Sequence, residues 1–167
     1  MEDNMSMKEY TSNIYDFAHF VSDMESWVAY SETISDCWEQ LETLNASALD
    51  DWEQVGKPII WKEWNNKYQH SAIDLSRKLF YEIESFIDSK ARMFSDNFDD
   101  LSKFLLEIGK DDYIKQKYHN YYRKLEDIYF LILASDDDWG VYQPEIFQIV
   151  KEMLNSTPHI LLKYKQT

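Results

Sequence analysis

Between Ser6 and Val55 the chain contains neither a glycine nor a proline. Such a stretch offers no residue made for a left-handed turn and none that removes a backbone donor, so little in it would stop a helix. The whole chain holds only three glycines and three prolines. Gly56 with Pro58, Gly109, Gly140 with Pro144, and Pro158 each fall where a helical reading wants a break.

The apolar spacing agrees. Ser6 and Glu9 have capping-box spacing, a helix-start signal. Tyr10, Ile14, Phe17, Phe20, Val21, Met24, Trp27 and Val28 follow in steps that make one broad apolar stripe. The pattern weakens from Tyr30 to Ser35 and resumes at Ile34, Trp38, Leu41 and Leu44. One long helix is expected, or two in line with a break near Ser31–Ser35. Asn45–Asp51 reads as a turn. A second long pattern runs through Ile60, Trp61, Trp64, Tyr68, Leu75, Leu79, Ile83, Phe86, Ile87 and Phe94. Ser95-Asp96-Asn97 reads as a cap-like break. A short helix from about Asp99 then ends at Gly109, a natural C′ glycine. Another helix is expected from about Asp111 to Ser135, then a loop over Asp136–Gly140. The last helix places Pro144 at N1 and stops near Asn155. His159-Ile160-Leu161-Leu162 reads as a short apolar tail docked on the body. Alternating strand patterns are absent elsewhere. The expected fold is all-α: a single-domain bundle of five to seven helices over residues 1–167, with a long acidic amphipathic N-terminal helix or helix pair. Residues 1–56 form its acidic helical segment and residues 57–167 its near-neutral helical body.

The charge is badly divided between those segments. Residues 1–56 hold thirteen acids against one base, Lys8, a net of −12. Residues 57–167 hold eighteen acids against sixteen bases, a net of −2. One-signed charge repels itself in the folded state, which points to a use for it outside the chain. On a continuous helix Glu2, Glu9, Asp16 and Asp23 form one row spaced by seven, and Glu25, Glu32 and Glu39 another. Within a row, carboxylates stand about 10 Å apart along the axis. A solvated helix face explains acids alone, but such faces commonly mix signs, because like pairs cost a few tenths of a kcal/mol each.

Few signs of catalysis compete. The chain lacks G-x-x-x-x-G-K-[ST] and G-x-G-x-x-G. His19, His70, His119 and His159 are far apart and none has H-x-x-x-H or E-x-x-H spacing, so no metal and no cofactor is expected. Cys37 lacks a neighbouring His and reads as a core thiol. The cluster Asp136, Asp137, Asp138 fails as an EF-hand, because its twelfth position is Phe147. Asp96-Asn97-Phe98-Asp99-Asp100 reads as a helix N-terminus, where acids suit the dipole. An all-α enzyme without a familiar motif stays open. Tyr113 to Leu125 interleaves Lys115, Lys117, Arg123 and Lys124 with Tyr113, Tyr118, Tyr121 and Tyr122. Such interleaving can serve single-stranded nucleic acid, but positions 114, 118, 121, 125 and 128 also make a plain core stripe. The sequence Asp36-Cys37-Trp38-Glu39-Gln40 returns as Asp50-Asp51-Trp52-Glu53-Gln54, two heptads on, so one helix would turn both Trp residues the same way.

Direct nucleic-acid binding is not expected at a net charge of −14 with three arginines. Membrane insertion is not expected either, since the longest apolar run is Ile128 to Ala134. Met1 to Ser6 lack the basic and apolar regions of a secretory leader, and the single Cys37 fits a reducing compartment, so a cytoplasmic location is expected. The expected function is that of a non-enzymatic acidic inhibitor. It binds a basic protein partner, such as a nuclease or a nucleic-acid-guided complex, and its carboxylates can stand in for phosphates. A phage-type anti-defence protein and the immunity protein of a nuclease toxin both fit. The expected partner-binding residues are Glu9, Asp16, Asp23, Glu25, Glu32, Asp36 and Glu39, with Trp27 or Tyr30 as aromatic anchors if exposed.

Trp139-Gly140, then Glu152-Met153-Leu154-Asn155, then Ile160-Leu161-Leu162, resembles the C-terminal end of poxviral Bcl-2-like proteins. The span from Trp27 to Trp139 is longer than that family suggests, and no functional residue is carried over. The resemblance implies a helical adaptor that takes a partner helix in an apolar groove, the alternative function.

Overall fold

The computed structural model describes residues 4–134 and 139–156. Among them the fold is all-helical, with eight α-helices: α1 (Asn4–Thr11), α2 (Ile14–Met24), α3 (Glu32–Gln54), α4 (Gln69–Asp96), α5 (Phe98–Gly109), α6 (Asp112–Lys117), α7 (His119–Ala134) and α8 (Trp139–Ser156). A 3₁₀ turn covers Glu25–Trp27 and a π-helical turn Trp64–Tyr68. The count exceeds the expected five to seven. Of the expected loop Asp136–Gly140, Trp139 and Gly140 belong to α8 instead; its first three residues and the tail at His159 lie outside the described residues.

The N-terminal region corrects the expectation most. It is neither one rod nor two helices in line. Ser12 and Asn13 separate α1 from α2, where the Asn13 side chain accepts from the Asp16 N–H as N-cap. After α2 the chain passes through the 3₁₀ turn to Ser31, whose side chain caps α3 through the Ile34 N–H. Helices α2 and α3 then pack side by side as a hairpin. The reason is burial: Ile14, Phe17, Phe20 and Val21 of α2 meet Ile34, Cys37, Leu41 and Ala48 of α3 inside the core. The apolar stripe continues on both helices only because the chain folds back on itself.

Asn45–Asp51 is not a turn but the interior of α3, with Asn45, Ala48 and Trp52 buried in heptad register with Leu41. The two similar pentapeptides therefore share one helix, and both indoles reach α2. Trp38 donates to the Val21 carbonyl and the Trp52 ring meets Tyr15 edge-on at 5.2 Å. Helix α3 ends in a Schellman motif: the Gly56 N–H bonds the Glu53 carbonyl and the Lys57 N–H bonds the Trp52 carbonyl. Gly56 takes φ +85° and Lys57 φ +54°. Trp64 Nε1 and Gln69 Nε2 both donate to the Thr11 carbonyl at the end of α1.

The chain divides into two compact units, Met1–Glu84 and Ser85–Thr167. The boundary lies within α4 and not in a polar linker, so composition carries no sign of it. In the second unit Asn97 caps α5 through the Asp99 and Asp100 N–H groups, as the cap-like break predicts. Gly109 is not a left-handed C′ glycine. It is the last helical residue, and a Cβ there would stand 3.0 Å from the Tyr122 hydroxyl. The helix expected from Asp111 is two, α6 and α7, divided at Tyr118. Pro144 lies inside α8, which starts at Trp139, and not at N1.

Candidate partner-binding surface

The structure places Glu9 on α1, Asp16 and Asp23 on α2, Glu25 in the 3₁₀ turn, and Glu32, Asp36 and Glu39 on α3. All seven are exposed. The heptad rows do not form, because two breaks interrupt them. What α3 brings together is Glu32, Asp36 and Glu39, which at i, i+4 and i+7 share one helical face. Asp16 and Asp23 stand two turns apart on α2.

None of these carboxylates forms an ion pair among the described residues. Asp16 accepts from Asn13 Nδ2 at 2.7 Å. The paired acids of this region lie elsewhere: Glu53 meets Lys57 at 2.9 Å, and Asp51 meets Lys67 and the Tyr68 hydroxyl. The Lys67 bond, then the Tyr68 bond, holds the Asp51 carboxyl below its ordinary value. The first unit carries seventeen acids against six bases, a net of −11.

The aromatic anchors separate. Tyr30 is buried, and burial pushes its phenol above its ordinary value. It serves the core, against the Trp27 ring at 5.2 Å, and only Trp27 is partly accessible. Sequence reasoning missed the exposed apolar residues of this unit: Tyr15, Val55, Ile59, Ile60 and Tyr81. Helical spacing assigned Ile60 and Trp61 to a buried stripe, yet both precede the helix, and Ile60 is exposed.

In the second unit α5 and α7 border a groove of about 460 Å³ lined by Leu105, Leu106, Tyr122, Glu126 and Phe130 among others. Leu106 and Phe130 expose more than half their surface. The basic and aromatic stretch is largely spent within the fold. Ile114, Tyr118, Tyr122, Leu125 and Ile128 are buried, Lys117 stands over the Tyr113 and Tyr118 rings, and Lys124 pairs with Glu145 at 2.8 Å.

Cys37 is buried, and that burial is the main reason its thiol sits above its ordinary value, away from the thiolate needed of a nucleophile. His19, His70 and His119 are exposed, and His70 faces Asp74 at 3.3 Å. Among the described residues no three His, Cys, Asp or Glu side chains converge as a metal-holding group. Among the same residues no helix is long and apolar enough to cross a membrane. No protein-family model, curated protein or solved structure matches this chain.

Proposed function

We propose that the chain is a non-enzymatic acidic inhibitor of a basic, nucleic-acid-handling protein in the cytoplasm, as a phage-type anti-defence protein or a nuclease-toxin immunity protein would be. One observation carries the reading: Glu9, Asp23, Glu25, Glu32, Asp36 and Glu39 are exposed and make no ion pair among the described residues. Unpaired carboxylates retain their field for a partner, speed encounter with Lys and Arg, and repel nucleic acid itself. The test is capture of a basic partner by the full chain at low and high salt. Binding falls steeply with salt, and reversal of Glu25, Glu32 and Glu39 to Lys abolishes it. Unchanged affinity in that variant ends the reading.

A helical adaptor is the second reading, favoured by the groove between α5 and α7 and the exposure of Leu106 and Phe130. Here binding resists salt and is lost in Leu106→Asp/Phe130→Asp.

A further inference from the structure

The connection between α3 and α4 carries two adjacent isoleucines in open solvent. Ile59 is 101 % and Ile60 83 % exposed. The loop holding them is not slack. The Schellman bonds fix its start, Pro58 restricts its backbone, and the Trp52 indole donates to the Pro58 carbonyl at 3.0 Å. Lys57 is held by Glu53 and lies 5.9 Å from the Trp52 ring centre. Two apolar side chains on a fixed loop lose little conformational freedom when covered, so contact with them favours binding more than contact with a mobile segment would.

A groove of about 450 Å³ adjoins the isoleucines, with Tyr15, Trp52, Trp61 and Trp64 in its lining. Asp16 and Lys62 are its charged lining residues. Tyr15, Ile59 and Ile60 are its exposed apolar side chains, Trp52 and Trp64 are buried, and Ser12, Asn13 and Asn65 add polar groups. Exposed aromatic and isoleucine side chains set among polar groups suit an interface anchor.

We propose that the Ile59–Ile60 loop and this groove are the apolar anchor for a basic amphipathic segment of a partner protein. The inference rests on the acidic-surface reading and specifies its partner. Charge chooses the occupant. The unit around the groove carries −11, so a segment with Lys and Arg beside its apolar side chains is attracted as it docks. Nucleic acid is repelled, and a second copy of this chain brings the same −11.

The experiment uses the full chain, two peptides and tryptophan fluorescence. One peptide is a Leu/Lys helix with a single apolar face; the other is polylysine of equal charge. Ile59→Ser/Ile60→Ser weakens the amphipathic peptide by about tenfold or more and leaves polylysine unchanged, because only the amphipathic peptide has apolar side chains to cover the isoleucines. Glu25→Lys/Glu32→Lys/Glu39→Lys weakens both peptides. If the isoleucine variant binds both peptides as the parent does, the anchor is overturned while the acidic reading stands. If the charge-reversed variant loses neither peptide, the acidic reading fails first. Sedimentation supplies the other check: self-association that disappears in Ile59→Ser/Ile60→Ser gives the loop to a second copy and overturns the proposal.

Discussion

The Trp38 indole N–H donates to the backbone carbonyl of Val21 at 2.8 Å. The bond spans the α2–α3 hairpin and completes a helix end. In an uninterrupted helix the Val21 carbonyl would accept from the Glu25 N–H, but that N–H turns to Ser22 as the 3₁₀ turn begins. Trp38 supplies the missing donor. Trp38→Phe keeps an aromatic ring and removes the donor, so it lowers stability by about 1–2 kcal/mol. Urea denaturation followed by circular dichroism measures this, and an unchanged midpoint would show the carbonyl satisfied by water.

Gly56 at φ +85° ends α3 in a conformation that disfavours a Cβ, although nothing stands within 4 Å of where one would go. Gly56→Ala therefore acts through the backbone alone and destabilises by about 1 kcal/mol. Thermal denaturation reads the loss. Val55→Ala, on the exposed cap residue beside it, stays within about 0.5 kcal/mol of the parent.

In the second unit Gly109 and Tyr122 are coupled, because the added Cβ would stand 3.0 Å from the phenol oxygen. Helix propensity favours Ala over Gly by about 0.5–1 kcal/mol, and the close contact opposes it. Removing that oxygen first lets propensity act. Gly109→Ala in a Tyr122→Phe background therefore raises stability by up to about 1 kcal/mol, and the same change in the parent yields less. A double-mutant cycle in denaturant gives the coupling, and zero coupling contradicts the contact.

Asp51 sets an acid limb. Its carboxyl is lowered by Lys67 and then Tyr68, so the folded state holds this proton less tightly than the unfolded state does. The contribution is fully present above the unfolded value, about 3.9, and is lost as pH falls through the folded value below it. Tyr68 behaves oppositely: burial first, then Asp51, raises its phenol, so its contribution is lost as pH climbs from about 10 through the raised value. Asp51→Asn is the less stable protein at neutral pH, and the gap to the parent narrows as acid protonates Asp51. Denaturation midpoints measured from pH 7 to pH 2 test this; a constant gap refutes it.

The helices were legible because buried positions recur at three and four residues, as Ile14, Phe17 and Val21 do. The fold-back after Met24 was not legible. Glu25-Ser26-Trp27 contains no Gly or Pro, and the contacts that fix the hairpin, such as Trp38 to Val21, are remote in sequence. Asn45–Asp51 misled for a related reason. Its polar letters suit a turn, but tertiary packing buries Asn45 and Ala48 and keeps the segment helical. The acids were legible as exposed residues but not as rows, since rows require a continuous axis. Ile60 was hidden by the assumption that apolar letters beside a helix belong to its core.

The cost of the acidic face can be measured without a partner. Asp36 stands four residues after Glu32 and three before Glu39 on an exposed face, so it contributes two like-charge pairs. Asp36→Lys turns both into opposite pairs, the first with Glu N-terminal to Lys at i,i+4, the favourable order. Each pair changes by a few tenths of a kcal/mol in either direction, so the variant gains about 0.5–1 kcal/mol at low salt. Screening shrinks the gain toward zero near 1 M salt, where the Debye length is about 3 Å. A face that only needed solvation would be served better by the lysine. Higher stability in Asp36→Lys, together with weaker capture of the proposed basic partner, would mean that the acids are kept at the expense of the fold for use outside it. A stabilised variant that still captures the partner fully would place the partner's contacts away from Asp36.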